Sequence, residues 1–284
     1  MPIDIEAALA SELPAGNFVW DEDRVILYQL GLGAGSPPTD PRELSYTYEG
    51  SLAVLPSFGT IAASTSMTAI SYARGVDINW ALLLHGEQDL ELEGPIPRTG
   101  EVVSQPRIAN IYDKGRAALM IVEVISTDRG TGELLFTNRA SLFIRGEGGW
   151  GGDPGPKASN QAPAREPDHI VRSSTLPQQA LLYRLSGDKN PLHADPAFAA
   201  LGGFDRPILH GLCTYGIVCK AAVDTVLGGD PRRARRYQAR FAGVLFPGET
   251  VVTSMWVEED KILLEASAEE RDATVLSNAA LWVS

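Results

Sequence analysis

Residues 183–193 read YRLSGDKNPLH and place one of only four histidines five positions after an aspartate. Gly187 precedes the carboxylate, and Pro191 stands between the two titratable groups. Glycine takes backbone conformations closed to other residues. Proline fixes its own φ and pushes the preceding Asn190 toward extended geometry. A corner of this composition presents Asp188, Asn190 and His193 from one short arc. A carboxylate and an imidazole held around one water can share its protons, which addition of water across a double bond requires. The plainer reading is that Asp188 hydrogen-bonds the turn and His193 is a satisfied surface residue.

A second segment, RPILHG (206–211), runs into a long apolar stretch with no Ser, Thr, Asp or Asn immediately before it. The first N–H groups of a helix need partners, and no obvious side chain supplies them here. A ligand oxygen could. A helix N-terminus suits the negative charge that builds on a thioester oxygen as an enolate forms. Locally, Gly211 would serve equally well to relieve crowding.

Several elements must position these groups. Pro177 opens a short helix to about Leu185, closed by Gly187. Asp195 and Pro196 are an N-cap and a first helical residue, and Gly202-Gly203 ends that helix. GLCTYGIVCKAAVDTVL (211–227) is apolar or small nearly all round, the pattern of a buried helix. The β-rich runs VLF (244–246), ETVVTSMWV (249–257), KILLEASA (261–268) and TVLSNAALWV (274–283) follow it. The first half shows the same order: a small-residue helix around 57–73, then strands near 101–111, 117–125 and 133–144. Between the halves, residues 146–167 are too rich in Gly, Pro and small polar residues for a helix or strand period. They read as a linker between domains at 1–145 and 168–284.

The halves also resemble each other in sequence. LYQLGLGAG (27–35) lies on LYRLSGDKN (182–190), PRTGEVV (97–103) on FPGETVV (246–252), and FTNRASLF (136–143) on LSNAALWV (276–283). Three pairs in one order point to an internal duplication. The expected fold is α+β, a double hot-dog in which each half wraps a long central helix in an antiparallel sheet. Asp188 then falls on Gly33 and Asn190 on Gly35, so the first copy keeps the turn and lacks the carboxylate and imidazole.

YRLSGDKNPLH followed by FDRPILHGLCTYG closely resembles the signature of MaoC-like (R)-specific enoyl-CoA hydratases, including the hydratase units of peroxisomal multifunctional enzymes. The resemblance extends over both halves and implies several roles, the first half making room for the acyl chain unless bulk at Phe58, Met67 or Trp80 fills that room. Asp188 and His193 would hold and activate the water, Asn190 would shape the site, and the Gly211 amide would serve the thioester oxygen. The implied reaction is syn hydration of a trans-2-enoyl-CoA to the (3R)-3-hydroxyacyl-CoA, as in β-oxidation, with no metal or redox cofactor. The nearest rival is the same chemistry reversed on a carrier protein, a (3R)-hydroxyacyl dehydratase. A thioesterase is more distant, and a non-catalytic acyl-CoA-binding subunit is the reading from another class.

Charge narrows the partners. A formal net charge of −12 argues against duplex DNA, which needs a basic face. The run RRARRYQAR (232–240) is the local exception. It is either a solvated face or, through residues such as Arg236, a contact for CoA phosphates. Lys189 and Arg206 are alternative CoA contacts. His210, beside Gly211, suits a loop-orienting role, whereas His85 and His169 read as structural or solvent-facing. Asp188, His193 and His210 could meet at a metal, but nothing in the spacing enforces it. GLGAG (31–35) is no dinucleotide loop, because Pro37-Pro38 follow where a helix must open. There is no secretory signal pattern and no apolar run of membrane-spanning length. Cys213 and Cys219 read as buried free thiols. A cytoplasmic homodimer is expected.

Overall fold

A computed structural model describes residues 3–284, apart from the side chains of Thr65, Met67 and Ala81. The first half holds strands β1 (Gly16–Trp20), β2 (Leu83–Leu92), β3 (Gly100–Asp113), β4 (Ala117–Asp128) and β5 (Leu134–Arg145). Its helices are α1 (Ile5–Leu9), α2 (Glu22–Gly31), α3 (Pro41–Thr47) and α4 (Gly59–Met67). The second half holds β6 (His169–Ser174), β7 (Ala234–Phe241), β8 (Thr250–Val257), β9 (Lys261–Ala268) and β10 (Ala273–Val283). Its helices are α5 (Gln179–Tyr183), α6 (Pro196–Leu201) and α7 (Gly211–Thr225).

All ten strands form one antiparallel sheet in the order β1-β3-β4-β5-β2-β7-β10-β9-β8-β6. Read inward from either edge, each half follows the same pattern: first strand, third, fourth, fifth, second. This is the duplication seen as topology, a double hot-dog. The halves meet where β2 pairs with β7, with Leu90 opposite Tyr237 and Glu87 opposite Arg240. That seam lets one chain pair a strand edge that a single copy would leave open.

The seam strand β7 is the arginine run itself. Tyr237 and Ala239 turn into the core while Arg236, Gln238 and Arg240 face outward, the period of a half-buried strand. Its cations meet acids of β2. Arg236 grips Asp89 through two 2.8 Å bonds, and Arg240 pairs with Glu87. VLF (244–246), by contrast, is not a strand. The Leu245 carbonyl accepts the Leu209 N–H at 2.7 Å and so fixes the approach to α7.

The two central helices differ. α7 is buried along nearly its whole length, as its composition requires. α4 is only nine residues long, preceded by a 3₁₀ turn at Pro56–Phe58 and followed by another at Thr68–Tyr72. Hydroxyl side chains explain the shorter helix. Thr60, Ser64 and Ser71 donate to the carbonyls of Ser57, Ile61 and Thr68, and such bonds compete with the helical ladder.

The segment 146–167 carries no regular element yet is pinned to the sheet. The Asp113 carboxylate accepts N–H groups of Gly149, Gly151 and Gly152, and Trp256 Nε1 donates to the Arg165 carbonyl. Among the described residues no helix is long and apolar enough to cross a membrane.

Candidate active site

The corner after α5 is built as its residues dictate. Tyr183 is buried and anchors the element; a 3₁₀ turn at Arg184–Ser186 then runs into Gly187 at φ +141°. Side-chain-bearing residues rarely adopt that φ, so glycine is required. Asp188 Oδ1 accepts the Asn190 N–H at 3.0 Å, and Asn190 Oδ1 accepts the Leu192 N–H at 3.0 Å. Asn190 thereby caps the turn Pro191–His193 and fixes the path from the carboxylate to the imidazole. Asp195 caps α6 through Ala197 and Phe198 and holds the far side of the loop.

His193 is buried, with Nδ1 2.9 Å from the Ile208 carbonyl. A carbonyl only accepts, so Nδ1 carries the proton and Nε2 is left as a bare lone pair. The His210 ring stacks on it, with centroids 3.7 Å apart, and His210 Nε2 donates to the Asp188 carbonyl at 3.2 Å. His210 therefore ties the Asp188 loop to the start of α7. Burial lowers the pKa of both rings, and His193 itself adds to the lowering that takes His210 to about 4. Two stacked neutral imidazoles result.

His210 is also the N-cap residue of α7 and supplies no side-chain cap to the helix. The Cys213 N–H donates to the His210 carbonyl, which leaves the N–H groups of Gly211 and Leu212 to open beside the Asp188–His193 corner. A Cβ on Gly211 would stand 3.1 Å from the Phe241 ring, so a larger residue would crowd the amide that glycine leaves accessible.

Donor atoms of Asp188, His193 and His210 all lie within 4.8 Å of one another. Among the described residues this is the set whose spacing could hold a metal ion. The corner opens on a cavity of about 1250 Å³. The second half contributes Tyr183, Leu185–Lys189 and Leu212; most of the remaining wall comes from the first half, including Phe58, Ile61, Ile70 and Trp80. Phe58 is packed edge-on against Trp20 and Tyr28 and forms the wall without filling the room. The Met67 side chain lies outside the described residues.

Comparison with known proteins gives this arrangement its family. Residues 18–146 match the MFE-2 hydratase 2 N-terminal domain, and residues 158–279 match the MaoC-like domain. The chain is 48% identical over 284 residues to the enoyl-CoA hydratase ChsH3 of Mycobacterium tuberculosis, covering 99% of each. The chain is a two-domain member of the MaoC-like hydratase 2 family. It is also similar to the peroxisomal enoyl-CoA hydratase 2 of Arabidopsis thaliana, at 40% identity over 95% of this chain and 92% of that one. The crystal structure of a MaoC-like dehydratase from Phytophthora capsici superposes with a TM-score of 0.86 at 30% identity, covering 98% of each chain.

In this MaoC-like chain the residues expected from sequence are not all brought together. Asp188, Asn190, His193, His210 and Gly211 converge on the corner, and Lys189 lines the cavity beside them. Arg206 is exposed at 4.0 Å from Glu249, with its guanidinium over the Phe246 ring at 4.6 Å. Arg236 does not join them. Its guanidinium is held bidentately by Asp89 and lies 4.7 Å from the Trp282 ring. Polar residues of the first half also line the cavity, among them His85, Gln88 and Asn138. The signal for them was Gly86 inside a strand pattern, the mark of a bulge.

Proposed function

We propose that this chain is an (R)-specific enoyl-CoA hydratase, adding water to trans-2-enoyl-CoA to give the (3R)-3-hydroxyacyl-CoA. One observation carries the reading. The imidazole of His193, whose Nε2 is bare, and the carboxyl of Asp188 have ligand atoms within 4.8 Å of each other beside the uncapped start of α7, and Asp188 lines a large cavity.

In this mechanism the thioester oxygen sits at the Gly211 end of α7. One water lies between Asp188 and His193. Its oxygen forms the bond to C3 as one of the pair takes its proton, and the C2–C3 π electrons pass toward the thioester oxygen. The helix N-terminus stabilises that enolate charge. The pair then returns a proton to C2 from the same face, so addition is syn and the enzyme is restored. Asn190 and His210 act by position, holding the two ends of the loop.

The acyl group belongs in the room walled mainly by the first half. Its volume exceeds the roughly 300–1,000 Å³ usual for small-molecule sites, which supports medium to long acyl chains. The test follows loss of the conjugated-enoyl absorbance with trans-2-enoyl-CoAs of four to sixteen carbons, scoring the product with an (R)-specific dehydrogenase. Asp188→Asn and His193→Gln should each lower kcat at least about a hundredfold. Binding of acyl-CoA without turnover at any length would overturn the hydratase reading.

A further inference from the structure

Strand β2 contains one residue more than its partner allows. His85 stands opposite Leu142, while Glu87 stands opposite the adjacent Ser141, so Gly86 is the extra residue of a bulge. A Cβ on Gly86 would come 3.3 Å from the Ser141 carbonyl oxygen, which leaves little room for anything but glycine. The bulge has a geometric consequence. In a regular strand, residues three apart point to opposite faces. Here His85 and Gln88 both face the cavity that holds Asp188.

Of the three polar side chains that β2 and β5 bring here, two are held. Gln88 Nε2 donates to Asn138 Oδ1 at 2.9 Å, and Asn138 Nδ2 donates to the Gly59 carbonyl at 3.1 Å. His85 Nε2 is buried and makes no hydrogen bond within the protein. A buried polar atom without a partner costs about 1–3 kcal/mol, so it calls for one. The His85 ring sits edge-on to Phe241, with centroids 5.0 Å apart, and Phe241 is the ring beside Gly211. Burial lowers the His85 pKa and keeps the ring neutral, against smaller opposing effects of the Glu87 backbone, the Gln88 side chain and, last, the Asp188 charge. His85 therefore lies between the helix end that receives the thioester and the loop that delivers the water.

We propose that His85, from the half that lacks the catalytic loop, contacts the substrate and hydrogen-bonds through Nε2 to an oxygen at its reacting end. That oxygen is either the C1 carbonyl or the one added at C3. The proposal rests on the hydratase reading for the identity of the ligand. It makes the site composite: water activation comes from one copy of the fold and a substrate contact from the other.

The test uses the full chain in three forms, wild type, His85→Phe and His85→Gln. Phe keeps a ring against Phe241 without a polar atom, whereas Gln keeps a hydrogen-bonding group near the position of Nε2. Calorimetric affinities for a saturated acyl-CoA, which carries only the C1 oxygen, are compared with those for its (3R)-3-hydroxyacyl-CoA. His85→Phe should bind at least one of them about tenfold more weakly, with Gln recovering most of the loss and melting temperatures little changed. Weakening of both ligands would place the contact at C1; weakening of the hydroxyacyl ligand alone would place it at C3. Unchanged affinity for both in a folded His85→Phe would overturn the proposal, and so would a His85→Gln no better than Phe. Turnover by wild type is scored separately, so an inactive wild type that still shows these affinity differences would sink the hydratase reading and leave the His85 contact standing.

Discussion

Acidification offers a stability test of the buried imidazoles. Burial lowers the pKa of His85 to about 4, against about 6.5 in an unfolded chain. The unfolded state therefore binds the proton first as pH falls. The stabilisation is fully present above pH 6.5 and drains away as pH falls toward 4. At pH 5 an unfolded histidine is almost fully protonated and His85 is mostly neutral, which costs the folded state about 2 kcal/mol from this residue alone. His193 and His210 shift in the same direction and add to the loss. Carboxylates with lowered native values, such as Glu249, release their share only as pH falls below the usual carboxylate range. The window between pH 6.5 and 5 thus belongs to the histidines. Urea unfolding followed by tryptophan fluorescence at pH 7.5, 6.5, 5.5 and 5.0 would measure it in wild type and His85→Gln. The gap between the two should move in favour of the variant by about 2 kcal/mol from pH 7.5 to pH 5. Parallel curves, with a constant gap, would refute a neutral, desolvated His85.

Two further outcomes follow from the geometry of the corner and the seam. Gly211→Ala sets a methyl 3.1 Å from Phe241 and so displaces the first amide of α7. Loss of such a donor costs about 10²–10³ in kcat, so a fall of at least about tenfold, with KM and melting temperature nearly unchanged, is expected from steady-state kinetics and thermal denaturation. Arg236→Met leaves Asp89, only 7% exposed, without its bidentate partner. Because Arg236 is itself part-exposed, this should lower the unfolding free energy by about 1–2 kcal/mol while KM for acyl-CoA stays within twofold. A large rise in KM would return Arg236 to the substrate.

What the sequence disclosed and what it hid divide along the range of the interactions involved. The Asp188–His193 corner was legible because its geometry is set by neighbours in the chain: Gly187 for the positive φ, Asn190 for the cap, Pro191 for the rigid exit. The capped start of α6 and the all-round apolar α7 were legible for the same reason. Strand β7 was obscured because five arginines dominated a segment whose Tyr237 and Ala239 already alternated correctly. The charges of Arg236 and Arg240 make sense only beside Asp89 and Glu87, which lie far away in sequence and adjacent across the seam. The stretch 57–73 suggested one long helix from its small residues, while its hydroxyls turned the ends into 3₁₀ structure. His85 was the hardest to read, since its place in the site depends on two long-range facts at once. The β2–β7 register sets Glu87 opposite Arg240 and so brings His85 beside Phe241, and the bulge at Gly86 then directs the imidazole inward. The repeat pointed the other way, and the turn itself is not kept: Gly33 and Gly35 take positive φ where Asp188 and Asn190 do not, and Leu32 at φ −93° stands where Gly187 has +141°. The first half lacks that pair at its loop, yet the seam carries another of its strands to the wall of the cavity that Asp188 lines.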